Sequence, residues 1–354
     1  MRVITLSGSP RERGRQHGES CREDIHQLIG GWRYAIEKST DQSLEEWCDD
    51  FMANTQFEAA MTRWTPGLLD ELAGMAEGAD IDPGILYFFN CTDENQWFME
   101  HRAEGLDLPE GRGCSSLGTA SLIAQNMDIP GATDGYQVLL RIVEDDNDTY
   151  LFSLTGMLGM IGLNRHGIGV VNNSLRQLAV RPDGLPVNVM VRGLLMQPDF
   201  DSAKSFIRNA PHATGHNYII GGPGGSAMFE CSAAGAVELP PDHGMLLHTN
   251  HPIASEDTSP HDQFRGNRST SNTEVRLDSL KAQVQGETAL TVNQAKAVLA
   301  AHDDEANPVC RHVTDKRTNF TAGAVVYEMT VPPTLHIAPG PPCEVPFETY
   351  KFQE

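Results

Sequence analysis

The 354-residue sequence predicts an α+β fold in which antiparallel sheets are covered by helices. Two observations support this prediction. Residues 1–113 have the apolar periodicity of amphipathic helices, whereas the residues after Cys114 have the alternating pattern of strands. Helical stretches then alternate with further strands up to the end of the chain. We therefore divide a single domain into a helical N-terminal segment, 1–113, and a strand-rich segment, 114–354.

Within the helical segment, apolar residues recur on one helical face over residues 14–36 and again over residues 44–52. Thr65-Pro66 and Asp82-Pro83 each combine an N-cap residue with a proline at the first helical position, which predicts that helices begin there. Residues 85–89 are apolar on several faces, and we expect this helix to be buried.

The strand-rich segment combines strands and helices in turn. Its predicted strands are 114–119, 121–128, 136–143, 150–154, 160–163, 167–171, 217–220, 227–231, 245–248, 322–330 and 334–338. Its predicted helices are 187–196, 202–209, 274–284 and 292–301, the last with a capping box formed by Thr291 and Gln294. We interpret the glycine-rich run 221–225 as a turn between two strands, because it opens no helix. The proline-rich run 339–342 is interpreted as a turn before a short tail.

The chain carries 26 basic and 48 acidic residues, for a net charge of −22. Such a surface repels nucleic acids and anionic lipids, so we expect neither as a partner. The sequence has no run of 18 apolar residues that would span a membrane, and its N-terminus lacks the apolar region of a secretion signal. Seven scattered cysteines form no C-x-x-C pair, which indicates reduced thiols and a cytoplasmic protein.

A polar, flexible stretch, 106–113, leads into Cys114 at the start of the first predicted strand. Gly113 has no side chain to block approach, so the Cys114 thiol can attack the Gly113 carbonyl and shift the acyl group from nitrogen to sulfur. Hydrolysis would then leave Cys114 as a new N-terminus. Its thiol would be the nucleophile, and its α-amine, with an ordinary pKa of about 7.7–8, would be the activating base. The alternative is that Cys114 is a small buried apolar residue.

Polar residues follow three predicted strands at points where catalytic groups can converge. Asp128 ends the second strand after Cys114, Asn173 ends a hairpin strand, and Asn250 follows the strand 245–248. An amide N–H can donate to a developing oxyanion without carrying charge. Each of these residues can equally be an ordinary turn or cap residue.

Two histidine pairs raise a metal enzyme as an alternative: His212 with His216, and His248 with His251. Neither pair includes the glutamate of the H-E-x-x-H motif, and His251 precedes a proline in a predicted loop. We therefore predict no metal.

Gly113-Cys114-Ser115-Ser116 followed by Gln125-Asn126-Met127-Asp128 resembles the start of the mature subunit in the acyl-coenzyme A:isopenicillin N acyltransferase family. This family belongs to the N-terminal nucleophile hydrolases and is distantly similar to choloylglycine hydrolases. Further matching motifs extend over nearly the whole chain: 7–10, 14, 17–18, 162–167, 173, 249–252, 310–312, 340–343, 347 and 350. The resemblance implies a four-layer αββα sandwich and self-cleavage between Gly113 and Cys114. The two fragments should stay together as a heterodimer, because separation would expose apolar helix stripes. A higher oligomer is left open.

By position, the resemblance implies that Cys114 is the nucleophile and that Asp128 orients its amine. It implies Asn250 as the main oxyanion donor and Asn173 as a weaker second donor. Gln125 stands where the choloylglycine relatives have an arginine, which argues against steroid conjugates as substrates more than against the chemistry.

The segment after the Asn-His-Pro motif departs from the family pattern. Whether Arg268, Arg276 or neither supports the site therefore stays open.

The predicted activity is hydrolysis of a linear amide, either an N-acyl small molecule or a penicillin-type side chain, through a thioester acyl-enzyme. No cofactor is predicted. The first alternative is an acyltransferase with a coenzyme A thioester as co-substrate, because the two reactions differ only in whether water or an amine takes the acyl group. The second alternative is an uncleaved, non-catalytic relative that binds a ligand. The combination of Gly113-Cys114 with Asp128 and Asn250 argues against this second alternative.

Overall fold

The computed structural model describes residues 1–40, 42–102, 113–258, 270–315 and 317–352. Two β-sheets, of eight and six strands, lie face to face, and helices pack on the outer side of each. This arrangement confirms the predicted α+β class and the αββα sandwich. Most of the predicted flexible lead-in, 106–112, and Arg268 lie outside the described residues.

Most of the predicted helices are present with similar bounds, but two helices, 57–64 and 92–102, were not predicted. The helices are, in chain order, α1 (Pro10–Thr40), α2 (Leu44–Ala53), α3 (Phe57–Trp64), α4 (Leu68–Ala79), α5 (Pro83–Phe89), α6 (Thr92–Arg102), α7 (Val187–Leu195), α8 (Phe200–Asn209), α9 (Thr270–Gln283) and α10 (Val292–Leu299). Two predicted capping devices are present, at Asp82 before α5 and at Thr291 with Gln294 before α10. Among the described helices, none is long and apolar enough to cross a membrane.

The predicted helix start at Thr65 is wrong. Thr65 ends α3, and its hydroxyl donates backwards to the Met61 carbonyl at 3.1 Å instead of capping a following helix. The next helix, α4, begins after Gly67, whose φ of 96° provides a left-handed turn that favours glycine.

The strands form two sheets. They are β1 (Arg2–Ser7), β2 (Ser115–Gly118), β3 (Leu122–Pro130), β4 (Gln137–Val143), β5 (Thr149–Leu154), β6 (Ile161–Asn164), β7 (Gly169–Ser174), β8 (His216–Gly222), β9 (Gly225–Ser232), β10 (Gly235–Leu239), β11 (Leu246–His248), β12 (Asn319–Glu328), β13 (Thr334–Ala338) and β14 (Glu348–Lys351). The eight-stranded sheet has the order β1-β4-β5-β6-β7-β8-β9-β10, and the six-stranded sheet has the order β11-β2-β3-β12-β13-β14. Strand β1 runs parallel to β4.

Three strands were not predicted: β1, β10 and β14. Each lies at the edge of a sheet, where a strand has one partner and many exposed side chains, so its apolar pattern is weak. The segment 1–113 is therefore not wholly helical, because β1 joins the eight-stranded sheet. The tail after the proline-rich turn is likewise not a loose end, because it forms β14 against β13.

The two helical layers leave the central strands buried on both faces. Helices α1, α7 and α8 pack on the eight-stranded sheet, while α9 and α10 pack on the six-stranded sheet. Apolar clusters fill the space between the sheets and the space beneath α9 and α10. As a result, every residue of β2, and every residue of β3 before its last, is buried. Polar groups on these two strands must therefore find partners inside the protein.

Candidate active site

Cys114 directly precedes β2, which lies between β11 and β3 and faces β7 and β8 of the other sheet. Its side chain is buried, with Sγ 3.6 Å from Met127 Sδ. Continuing the antiparallel register of β2 and β3 places Cys114 opposite Met127 and Gly113 opposite Asp128. The predicted cleavage site directly precedes β2 and is therefore expected to lie close to Asp128 on β3.

Asp128 is fully buried on β3, and its two carboxylate oxygens have different surroundings. Oδ1 accepts a hydrogen bond from Thr321 Oγ1 at 2.7 Å. Oδ2 lies 3.5 Å from Arg311 Nε and has no hydrogen-bond partner among the described residues. Burial raises the pKa of Asp128 to about 6, against the opposing charges of Arg311 and Arg276. One oxygen of this carboxylate is thus available to a further donor.

Arg276 on α9 joins the nucleophile segment to the predicted oxyanion residue. Its Nη1 donates to the Cys114 carbonyl at 2.6 Å and to Ser115 Oγ at 2.9 Å. Its Nη2 donates to Asn250 Oδ1 at 2.9 Å, and its Nε donates to Asn272 Oδ1 at 3.0 Å. Arg276 as a whole is 1% exposed. Of the two arginines that the sequence left open, Arg276 therefore contacts the predicted site.

Asn250 follows β11, and its side chain is held at both ends. Its Nδ2 donates to the Ser174 carbonyl at 3.0 Å, while its Oδ1 accepts from Arg276. Its backbone N–H donates to Thr273 Oγ1 at 2.6 Å, and its carbonyl accepts from Gln177 at 3.2 Å. These contacts use one Nδ2 hydrogen and leave the second for a ligand. A fixed amide donor of this kind is what an oxyanion hole requires.

Asn173 lies on β7, across the sheet interface from β2. Its Oδ1 accepts from Ser116 Oγ at 2.6 Å and from Asn217 Nδ2 at 3.0 Å. Its buried Nδ2 has no hydrogen-bond partner in the part of the chain that the structure describes. Leaving a buried donor unpaired costs about 1–3 kcal/mol. A bound ligand that accepts a hydrogen bond from this Nδ2 would remove that cost. Residues two apart in a strand face the same side, which puts Cys114 on the side of Ser116 that faces Asn173.

Arg311 lies against Gly113, the residue that precedes Cys114. A Cβ added to Gly113 would come within 2.4 Å of Arg311 Nη1. Arg311 is only 1% exposed and is held by Asp128 and by a hydrogen bond to Asn272 Oδ1, so it has little freedom to move aside. Glycine is therefore required at position 113 by this close approach.

Gln125 connects the two sheets from the middle of β3. Its Oε1 accepts from the Asn172 backbone N–H at 2.9 Å, and its Nε2 donates to the Asn172 carbonyl. The side chain is fully buried. This neutral amide therefore holds β3 to β7.

Glu230 on β9 fixes the loop that carries Asn250. Its buried carboxylate accepts from His248 Nε2 at 2.8 Å and from the backbone N–H groups of residues 253–255. Although burial opposes ionisation, His248 and these N–H groups hold the pKa of Glu230 below its ordinary value. The loop is therefore anchored on both sides of Asn250.

The four histidines that were considered as metal ligands each contact a protein group. The contacts are His212 Nε2 to the Ile207 carbonyl, His216 Nε2 to Asp93, His248 Nε2 to Glu230 and His251 Nδ1 to Thr273 Oγ1. Burial lowers the pKa of both His212 and His251 to about 4, so both are neutral at pH 7. Packing and hydrogen bonding within the protein therefore account for all four of these histidines.

A small pocket with a cavity volume of about 20 Å³ opens beside the end of β7. Ser174, whose carbonyl holds the Asn250 amide, forms part of its wall and links it to the site. The other lining residues are Asp93, Gln96, Trp97, Arg176, Val180, Thr214, Gly215 and His216. The wall therefore offers aromatic surface together with groups of both charges.

Comparisons with known proteins identify the family of this chain. The family profile described as "Acyl-coenzyme A:6-aminopenicillanic acid acyl-transferase" matches residues 116–331, more than half of the chain. The chain belongs to this family. A relative from Emericella nidulans, the "Acyl-coenzyme A:6-aminopenicillanic-acid-acyltransferase 40 kDa form", is 25% identical over 266 residues, which cover 72% of this chain and 71% of that protein. The resemblance stated from the sequence is confirmed, and with it the class of an enzyme that acts on linear amide bonds.

Two solved structures are also similar, both of variants of the conjugated bile acid hydrolase from Clostridium perfringens. Each gives a TM-score of 0.39 at 11% identity and spans 97% of that chain, with 69% and 68% of this chain covered. At this degree of similarity we assign no residue from them.

Two residues around the site were not assigned a role from the sequence. Arg311 lies within the Cys310-Arg311-His312 motif, which supported the resemblance without a function being assigned to it. Glu230 stands inside an apolar strand, and a carboxylate in such a strand is a signal that it is paired in the core. Both residues act on the site through other groups: Arg311 through Asp128, and Glu230 through the Asn250 loop.

Proposed function

We propose that this member of the family is a self-processing N-terminal nucleophile enzyme that hydrolyses a linear amide through a thioester acyl-enzyme. The observation that carries the proposal is the position of Arg276, which binds the Cys114 carbonyl and the Asn250 amide at once. One buried cation thereby fixes the nucleophile relative to the proposed oxyanion donor. Membership of an acyltransferase family supports this chemistry.

In the processing step, Cys114 Sγ attacks the Gly113 carbonyl carbon. The C–N bond between the two residues breaks, the nitrogen takes a proton, and a thioester joins Gly113 to Cys114 Sγ. Water then hydrolyses the thioester and leaves a Gly113 carboxylate and a free Cys114 amine. The Arg311 cation beside Gly113 would stabilise negative charge on the attacked carbonyl. The available Oδ2 of Asp128 would accept a hydrogen bond from the new amine.

In turnover, the α-amine takes the proton of the Cys114 thiol, and the thiolate attacks the carbonyl carbon of the substrate amide. Asn250 and Asn173 would donate to the resulting oxyanion through the second Nδ2 hydrogen of Asn250 and the unpaired Nδ2 of Asn173. The leaving amine takes the proton back from the α-ammonium group, and water attacks the thioester. Asp128 keeps the amine oriented throughout.

A second candidate is transfer of an acyl group from a coenzyme A thioester to a small amine. The family description and the name of the fungal relative favour this candidate. Both reactions use the same acyl-enzyme and differ only in the acceptor. For either reaction, we expect the substrate to approach past the opening beside Ser174, where Trp97 offers an apolar surface and Arg176 a polar one.

We also propose that the two fragments form a heterodimer and that the protein works in the cytoplasm. The shared sheet supports the first proposal, since β1 pairs with β4 across the two segments. The cysteines support the second, since all seven are free thiols.

The proposal is tested by intact-mass analysis of the purified protein. We expect two fragments, 1–113 and 114–354, that co-elute under native conditions. Cys114→Ala should give one uncut, inactive chain, whereas Cys48→Ala, a remote buried thiol, should cleave normally. Fully active enzyme with an uncut Gly113–Cys114 bond would contradict the proposal, since it has no free α-amine to act as base.

Hydrolysis and transfer are separated by a screen of N-acyl amides and acyl-coenzyme A thioesters, with and without added small amines. Hydrolysis releases free acid at a rate independent of the amine. Transfer gives a new amide whose rate rises with amine concentration. Folded protein that stays uncleaved and turns over neither substrate class would favour the uncleaved, non-catalytic alternative.

A further inference from the structure

Four side chains outside the catalytic site converge at one end of the six-stranded sheet: His302, Cys310, His312 and Cys343. Each offers one nitrogen or sulfur atom, and these atoms all lie within 4.8 Å of one another. Cys343 Sγ is 3.5 Å from Cys310 Sγ and 3.2 Å from His312 Nε2, and Cys310 Sγ is 4.0 Å from His312 Nε2. The rings of His302 and His312 stack with centroids 5.4 Å apart.

These distances match a tetrahedral zinc site. Zinc–sulfur bonds of about 2.3 Å and zinc–nitrogen bonds of about 2.0–2.1 Å give edges of about 3.3–3.8 Å between ligand atoms of a tetrahedron. The separations of 3.2, 3.5 and 4.0 Å among Cys310, His312 and Cys343 bracket this range, and His302 completes the set within 4.8 Å. Two sulfurs with two imidazole nitrogens are also the borderline-soft donor set that zinc prefers.

His312 has the surroundings of a metal ligand on both sides of its ring. Its Nε2 faces the two thiols, and its Nδ1 faces Glu344 Oε1 at 3.7 Å. A carboxylate behind the ligating histidine fixes the ring orientation and raises its basicity. Four protein ligands leave no open coordination position, which is the arrangement of a structural site rather than of a catalytic one.

The cluster joins two loops that are distant in sequence. His302, Cys310 and His312 lie between α10 and β12, whereas Cys343 lies between β13 and β14. The first loop carries Arg311, whose side chain reaches Asp128 and Gly113. A bound ion would therefore fix the backbone on both sides of Arg311.

We propose that His302, Cys310, His312 and Cys343 bind one Zn²⁺ ion that fixes the loop carrying Arg311. The ion would replace the two thiol protons, which are released to solvent, and would be held by two thiolates and two neutral imidazoles. The sequence prediction of no metal considered only two other histidine pairs. It missed this set because its members are spread from 302 to 343 without a C-x-x-C or H-E-x-x-H spacing.

The test is zinc content by elemental analysis of reduced, desalted full-length protein made in zinc-supplemented medium. We expect about one zinc per chain in wild type, and about tenfold less in Cys343→Ala and His302→Ala. His243→Ala, an exposed histidine outside the cluster, should keep its zinc, and so should Cys114→Ala. Glu344→Gln should weaken zinc affinity about tenfold, because it alters only the partner of a ligand.

Two further measurements keep the test decisive if a variant is unstable. Cobalt(II) added to zinc-free wild type should give the charge-transfer and visible bands of a tetrahedral thiolate site, and circular dichroism checks the fold. Zinc removal should speed amide hydrogen exchange in 302–312 and 341–344 more than elsewhere. Folded, reduced wild type without zinc would overturn the proposal, as would zinc that is lost in Cys114→Ala. A Cys310–Cys343 disulfide in zinc-free protein from reducing cytoplasm would also overturn it.

Discussion

Replacing Arg276 by lysine tests the link between the proposed nucleophile, Cys114, and the proposed oxyanion donor, Asn250. Arg276 makes four hydrogen bonds through a planar group that spans Cys114 and Asn250. Lysine keeps the charge but has a single ammonium group, so it cannot serve both partners in the same geometry. One buried acceptor, either the Cys114 carbonyl or Asn250 Oδ1, is then left unpaired. The expected loss of stability is about 1–3 kcal/mol.

We also expect Arg276→Lys to lose kcat, for a reason that is separate from its loss of stability. Without its Oδ1 contact, the Asn250 amide can rotate away from the oxyanion, and losing one such donor costs about 100- to 1000-fold in kcat. Self-cleavage should persist, because the attacked carbonyl belongs to Gly113, while Arg276 binds the carbonyl of Cys114. The assay is kcat on an amide substrate, normalised to the amount of cleaved chain found by intact mass.

Arg192→Lys is the matched control. Arg192 is also a buried arginine and pairs with Glu71 through two hydrogen bonds of 2.6 and 2.9 Å, but on α7, away from the site. It should lose stability without losing kcat per cleaved chain. The reasoning is refuted if Arg276→Lys turns over within about threefold of wild type, or if both variants lose kcat equally.

Three further changes test other parts of the site and of the core. Asn250→Ala should fold normally by circular dichroism and lose about 100- to 1000-fold in kcat, and retention of near wild-type kcat would remove Asn250 from the oxyanion role. In the uncleaved Cys114→Ala chain, buried Asp128 has a pKa of about 6, raised above its unfolded value, so the free energy of unfolding should fall as pH rises toward 6, and adding Asp128→Asn should remove this pH dependence. Glu71→Gln should lower the free energy of unfolding at pH 7 by about 3–5 kcal/mol, measured in urea. Although burial opposes it, Arg192 holds the pKa of Glu71 below its ordinary value, so this difference should shrink as pH falls through the folded pKa.

Local signals in the sequence predicted most of the central elements correctly. The period change at Cys114, the Asp82 cap and the Thr291 capping box each depend on neighbouring residues, so they can be recognised without tertiary structure. Edge strands such as β1 and β14 depend on a partner strand far along the chain. Thr65 shows the limit of a local rule, because its hydroxyl could bond forwards or backwards and only the surrounding packing decides.

The candidate site was predictable in its residue types but not in its connections. Cys114, Asp128, Asn173 and Asn250 stand at strand ends, and the structure brings these strand ends together between the sheets and α9. That Arg276 contacts the site depends on which face of α9 is turned toward Cys114. The spacing of residues in the sequence does not reveal this face. The cysteine and histidine cluster likewise depends on two loops meeting in space.

The parallel pairing of β1 with β4 has a consequence for how the protein can be made. After cleavage, one strand of the eight-stranded sheet would come from one polypeptide and the other seven from another. The two pieces would then behave as a complementation pair, in which fragment 1–113 docks by adding a strand at the sheet edge and by burying the apolar side of α1. The two fragments can be expressed from separate genes, and a fragment that starts at Cys114 then has the free α-amine without any cleavage. Reassembly of the fragments can therefore be studied separately from self-cleavage.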